Sequence, residues 1–113
     1  MNFELRELKG ITILAAEGQV RISTQSEFKD YLDKLFEKYG SKTVILDMQD
    51  VTYMNSAGIG IIVDTFKSFR DSEGKLVLSG LSRDISRIFE VTKLNRYIEI
   101  YASVDDALSK LVV

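Results

Sequence analysis

The N-terminal segment carries the apolar and polar pattern of two β-strands. Phe3–Leu8 places charged residues between apolar ones, whereas Ile11–Ala16 is more continuously apolar. They are joined by Lys9-Gly10, and a two-residue connection with glycine is typical of a β-hairpin. We therefore predict a hairpin whose first strand lies at the sheet edge, protected by its charges, and whose second strand lies further inside.

The next segment changes to a helical period. Gly18–Ser23 is expected to form a loop, and Thr24 and Glu27 have the spacing of a capping box. We expect Gly40 to end the helix and its apolar stripe to pack in the core rather than bind a ligand. The stripe comprises Phe28, Tyr31, Leu32, Leu35, Phe36 and Tyr39.

The central segment changes from a strand to a helix around a serine. Val44–Leu46 is an apolar run with two β-branched residues, as in a buried strand, and a polar loop is expected after Asp47. A helix then runs to about Ser72. Its apolar residues recur at helical spacing, at Ile59, Ile62, Val63 and Phe66.

The C-terminal third continues the alternation of strands and helices. Lys75–Gly80 and Tyr97–Tyr101 are predicted strands, and Ser82 and Ser103 are predicted helix caps. Strands separated by helices imply parallel neighbours joined by right-handed crossovers. The predicted fold class is therefore α/β, a mostly parallel sheet built from consecutive βα units with an N-terminal antiparallel hairpin strand. No proline or repeat suggests a boundary, and we expect one domain over residues 1–113.

The charge and amino-acid composition of the chain exclude several classes of function. The net charge is -2 with no basic stripe, so nucleic acid is not an expected partner. No apolar run approaches the ~20 residues of a membrane span and no signal peptide is evident, so we expect a cytoplasmic protein without membrane insertion. Cysteine and histidine are absent, which removes thiolate chemistry, zinc–sulfur sites and a Ser-His-Asp triad. We expect neither an enzyme nor a metal or cofactor site.

The residues before the central helix have three interpretations on local physics alone. Asn55 or Ser56 could act only as a helix cap, with Gly58 and Gly60 allowing close packing on the sheet. The glycines could instead cradle a nucleotide phosphate, although the third glycine of a dinucleotide fingerprint and the ending of a P-loop are missing. Ser56 could also be a phosphoacceptor, placed where a helix dipole favours an anion.

The segment from Val44 to Gly60 resembles the signature of the STAS domain family, in particular the bacterial anti-sigma factor antagonists. In that signature an apolar strand ends in aspartate and leads to Asp-Ser, a small residue, glycine, an apolar residue and glycine. The similarity extends to Glu17-Gly18, Leu81–Ile88, Thr92–Leu94 and Ser103–Leu108.

The resemblance implies a switch that acts through a protein partner. An anti-sigma factor that is also a serine kinase would phosphorylate Ser56. The unphosphorylated form would bind that kinase and free the sigma factor, so that sigma-dependent transcription is regulated. Phosphorylation would release the antagonist, and a serine phosphatase would reset it.

Two departures from the family pattern affect the expected site. Asn55 stands where the family usually has aspartate, and Gln19 and Arg21 replace acidic residues. Asn55 still serves as a cap, and Arg21 is either a solvated charge or a partner for a phosphate on Ser56.

The expected partner surface surrounds the serine. Tyr53 and Met54 are each expected to be either an interface anchor or a core residue. The surface comprises Arg21, Ser23, Thr24, Tyr53, Met54, Asn55, Ser56 and Gly58. Two alternatives from other classes remain: a non-switching STAS scaffold or accessory subunit of a stress-signalling or transporter complex, and a nucleotide-sensing module.

Overall fold

A computed structural model describes residues 1–112 and contains one five-stranded sheet. The strand order is β1-β2-β3-β4-β5, with β1 antiparallel to β2 and the other neighbours parallel. The predicted α/β class and the N-terminal antiparallel hairpin are confirmed. The strands are β1 Asn2–Leu8, β2 Ile11–Val20, β3 Thr43–Met54, β4 Lys75–Ser79 and β5 Ile100–Tyr101.

Four helices cover the two faces of this sheet. The larger core lies under α1, α2 and α3, and its largest buried side chains include Phe28, Phe69 and Phe89. Helix α4 covers the opposite face through Ala107 and Leu108. The helices are α1 Gln25–Tyr39, α2 Ser56–Asp71, α3 Arg83–Val91 and α4 Val104–Leu111, with a short 3-10 turn over Leu94–Arg96. Within residues 1–112, no helix has the length and apolar character needed to cross a bilayer.

The local turn and cap predictions depend on neighbouring residues only, and most are confirmed. Lys9 and Gly10 both have positive φ, as a two-residue hairpin turn requires. The Oγ of Ser82 accepts a hydrogen bond from the N–H of Ile85, and the Oγ of Ser103 accepts one from the N–H of Asp106. These caps satisfy backbone donors that the first turn of each helix leaves unpaired.

The prediction of a polar loop after Asp47 is wrong, because β3 continues to Met54. Two register shifts in the β2–β3 pairing each add one residue to β3 relative to β2. The buried side chains therefore recur every third residue, at Met48, Val51 and Met54, instead of alternating. For the same reason β2 extends to Val20 and includes part of the predicted Gly18–Ser23 loop.

The last predicted strand is shorter than expected. Of Tyr97–Tyr101, only Ile100 and Tyr101 pair with β4. Tyr97 is exposed after the 3-10 turn, whereas Ile98 is buried in the larger core. The alternating pattern therefore reflects a single buried side chain next to a short strand.

Candidate phosphoacceptor and docking site

The candidate site lies where β2 and β3 end and α2 begins. Val20 and Met54 are paired at the end of the two parallel strands, and the N–H of Asn55 donates to the carbonyl oxygen of Val20, 3.0 Å away. Because both strands end at the same edge, the turn after Val20 lies beside the first turn of α2. A shallow depression at this edge is lined by Arg21, Ile22, Ser23, Gln25, Tyr53, Asn55, Ser56 and Ala57.

Asn55 is the N-cap of α2 and also connects the start of α2 to the start of α1 through a side-chain hydrogen bond. Its Oδ1 accepts a hydrogen bond from the N–H of Gly58 at 2.9 Å. Its Nδ2 donates to Oε1 of Gln25, the first residue of α1, at 3.0 Å. The asparagine therefore keeps the capping function expected of it and adds a neutral contact to α1.

Ser56 is the first residue of α2, and its side chain is exposed. Within residues 1–112 its hydroxyl forms no hydrogen bond with another side chain. The first turn of α2 contains no acidic residue, so the positive end of the helix dipole is not offset there. The hydroxyl is thus accessible, and an anion attached to it would lie next to unpaired backbone N–H groups.

Arg21 lies at the rim of the same depression. Its guanidinium carbon is 4.6 Å from the centre of the Tyr53 ring, which is a cation–π contact. Its Nε also donates to Oε1 of Gln19. These two contacts orient a positive charge at the edge of the depression that contains Ser56.

The predicted capping box of Thr24 and Glu27 is wrong. The Oγ1 of Thr24 instead accepts a hydrogen bond from the N–H of Arg21 and donates to the carbonyl oxygen of Gln19. The carboxylate of Glu27 binds the N-terminal ammonium of Met1 at 2.9 Å. Thr24 therefore closes the turn between β2 and α1, and Ser23 is left exposed on that turn.

The two candidate interface anchors, Tyr53 and Met54, differ in their burial. Met54 is 4% exposed and belongs to the larger core, so its inclusion in the partner surface is corrected. Tyr53 is 44% exposed and lines the depression. Consecutive side chains of a strand point to opposite faces of the sheet, which is why Tyr53 and Met54 face opposite ways.

Gly58 and Gly60 have different environments. A Cβ atom at Gly58 would lie 2.5 Å from Cγ of Met54 and 2.9 Å from Cγ1 of Val20, whereas at Gly60 it would meet nothing within 4 Å. Gly58 thus supports the site from below and does not contribute to its surface. Close packing of both glycines was part of the helix-cap interpretation, and the structure has it only at Gly58.

Ile22 and Gln25 line the depression but were not named among the expected partner-surface residues. Ile22 is 88% exposed, which makes it the most exposed of the large apolar side chains in the described chain. An isoleucine within an otherwise polar turn is a signal that could have identified it. Gln25 gave no such signal, because its role depends on its contact with Asn55 across the fold.

This fold and site define a small α/β protein with an accessible serine at a helix start. A sequence model of the STAS domain matches residues 2–107. The chain belongs to the STAS domain family.

Several anti-sigma factor antagonists are similar to this chain in sequence or in structure. The chain is 38% identical over 95 residues to the anti-sigma-B factor antagonist of Listeria monocytogenes serovar 1/2a, covering 84% of this chain and 82% of that protein. The structure of an anti-sigma factor antagonist STAS domain protein from Planctomyces limnophilus matches with a TM-score of 0.87 at 15% identity, covering 98% of each chain. The phosphorylated form of SpoIIAA from Bacillus matches with a TM-score of 0.72 at 14% identity, covering 97% of this chain and 99% of that one.

Proposed function

We propose that this protein is an anti-sigma factor antagonist whose binding to its partner is controlled by phosphorylation of Ser56. The partner would be an anti-sigma factor with serine kinase activity. The unphosphorylated antagonist would bind it and so free the sigma factor, and a serine phosphatase would restore this form. The observation that carries the proposal is the exposed Ser56 hydroxyl at the start of α2, inside a depression edged by exposed apolar side chains.

The surface around Ser56 is suited to docking while it is uncharged. Ile22 and Tyr53 supply exposed apolar and aromatic area on two sides of the depression. Side chains of this kind often form the core of a protein interface, where charged groups are depleted. The neutral Asn55 beside the serine is consistent with a docking surface of low charge.

A phosphate on Ser56 would carry about -1.5 to -2 charges at neutral pH. A thousandfold loss of affinity corresponds to about 4 kcal/mol. An unpaired charge enclosed at an interface costs about 2–5 kcal/mol or more. Charge exclusion alone is therefore sufficient for release, without a change in the fold.

The phosphorylated domain itself would remain folded. Attraction between the phosphate and the start of α2 contributes about 0.3–1 kcal/mol. Arg21, oriented at the rim by Tyr53, could add a charge-assisted hydrogen bond to the phosphate. The free-energy cost of the phosphate therefore weakens binding to the partner and does not unfold the antagonist.

The test uses the anti-sigma factor that co-purifies with this chain, incubated with ATP and the antagonist. We expect mass spectrometry to find phosphate on Ser56, and Ser56→Ala to abolish it. Ser41→Ala is the matched control, because Ser41 is an exposed serine that does not line the depression. This variant should be phosphorylated like the wild type.

Calorimetric titration of the same partner measures the effect of charge. Ser56→Ala should bind like the unphosphorylated wild type, and Ser56→Asp should bind about tenfold or more weakly. Unchanged affinity of Ser56→Asp would refute the charge argument. An antagonist that binds its partner but never acquires phosphate would instead be a constitutive scaffold.

A further inference from the structure

The outer edge of β1 is a long strand edge that has no neighbouring strand within residues 1–112. Strand β1 has seven residues, pairs with β2 in a regular register without bulges, and contains no proline. The opposite edge of the sheet in residues 1–112 is β5, with two residues. Free backbone N–H and C=O groups on a long regular edge can pair with another strand.

Beside this edge lies an apolar groove between β1 and α1. Leu5 is 48% exposed in this groove, and Phe3 stacks on Tyr31 with ring centres 3.8 Å apart. Lys34 and Lys38 line the groove on the helix side. The edge therefore offers an apolar centre with positive charge on one flank.

We propose that β1 pairs in antiparallel orientation with β1 of a second copy of this chain, about a two-fold axis at Leu5. Two five-stranded sheets would then form one continuous sheet. The occupant follows from the sequence of β1 itself, because a two-fold axis places each residue opposite a residue of the same strand. A strand that complements itself in one register specifies a copy of itself as its partner.

Only the register centred on Leu5 is free of facing like charges among the three central possibilities. Residues directly opposite each other must face the same side of the sheet, so the axis passes through a residue. Centring on Glu4 would place two glutamates opposite each other, and centring on Arg6 would place two arginines opposite each other. Centring on Leu5 pairs Leu5 with itself and Glu4 with Arg6 on both sides of the axis.

The same register matches the charges on the helix side. Glu7 of the second copy would lie opposite Phe3 and on the face covered by α1. Lys34 lies on that side, with its Nζ 5.7 Å from the centre of the Tyr31 ring that stacks on Phe3. Within residues 1–112, neither Glu7 nor Lys34 takes part in an intramolecular ion pair, and both charges are available to a second copy.

Arg6 is also free to change partners. Its contacts with Glu4 and Asp47 are both 3.8 Å long, and its side chain is partly exposed. The Arg6–Glu4 pair is exposed at both side chains and contributes little to stability, whereas the Asp47 side chain is only 13% exposed. Exchanging Glu4 of its own strand for Glu4 of the second copy would therefore cost the monomer little.

Sedimentation equilibrium of the unphosphorylated full chain over a wide dilution series tests this proposal. We expect reversible dimerisation, with the amides of β1 exchanging hydrogen more slowly as the protein concentration rises. Arg6→Glu and Glu4→Arg should each raise the dimer dissociation constant about tenfold or more, because two facing pairs become repulsive. The double variant restores opposite charges and should dimerise like the wild type.

Lys110→Glu is the matched control, since it makes the same charge change as Arg6→Glu at an exposed position on α4. It should leave the dissociation constant unchanged. A chain that stays monomeric throughout the series would overturn the proposal, as would a dimer that tolerates either single exchange. Failure of the double variant to recover dimerisation while it remains folded by circular dichroism would overturn the Leu5-centred register.

Discussion

Replacing Gly58 by alanine places a methyl group in the core directly beneath the candidate site. The new Cβ would lie 2.5 Å from Cγ and 3.1 Å from Sδ of Met54, and 2.9 Å from Cγ1 of Val20. Met54 and Val20 are both buried, and Val20 is β-branched and has few alternative rotamers. Neither neighbour can move aside without disturbing the packing of β2 against β3.

The expected magnitude combines two opposing effects. Overpacking a dense core costs about 1–3 kcal/mol. Alanine is favoured over glycine in a helix by about 1 kcal/mol, which offsets part of that cost. We therefore expect Gly58→Ala to lower the free energy of unfolding by about 1 kcal/mol.

Gly60→Ala is the matched control in the same helix. A Cβ there meets nothing within 4 Å and Gly60 is exposed. Only the helix-propensity effect applies, and the free energy of unfolding should rise by about 0.5–1 kcal/mol.

Urea unfolding followed by circular dichroism distinguishes the two variants. With a slope of about 1–3 kcal/mol per molar urea, the midpoint should fall by roughly 0.5 M for Gly58→Ala and rise for Gly60→Ala. The slope itself should not change in either variant. Equal or higher stability of Gly58→Ala would show that the packing between α2, Val20 and Met54 is looser than described.

Substitutions at two further positions, Asn55 and Ser79, test polar groups in the fold. Asn55→Ala should lower the free energy of unfolding by about 1 kcal/mol because the cap of α2 is lost, whereas Asn55→Asp keeps an acceptor for the N–H of Gly58 and should stay close to the wild type in urea unfolding. Ser79→Ala should raise the thermal midpoint, with a gain of up to about 1 kcal/mol, because within residues 1–112 its fully buried Oγ has no hydrogen-bond partner. A destabilised Ser79→Ala, or an Asn55→Ala as stable as the wild type, would contradict the corresponding reasoning.

Part of the candidate site could be predicted from local sequence patterns, and part depends on tertiary contacts. Asn55, Ser56 and the start of α2 could be located from the sequence, because a cap satisfies backbone donors two or three residues away. Thr24 and Glu27 have an equally good local pattern, yet each binds elsewhere. The Thr24 hydroxyl closes a turn with the carbonyl oxygen of Gln19, and Glu27 meets the N-terminal ammonium. A local pattern fails when a distant group offers a competing partner.

The sequence by itself determined the α/β class, the order of most strands and helices, the hairpin at Lys9-Gly10 and the position of the serine at the head of α2. Each of these depends on periodicity or on contacts between near neighbours. Only the tertiary structure decided the length of β3, the burial of Met54, the exposure of Ile22 and the meeting of Asn55 with Gln25. Those features depend on how β2 and β3 shift in register and on which turn lies beside the head of α2. Pairing between strands far apart in the chain sets both, and no local pattern of apolar residues encodes it.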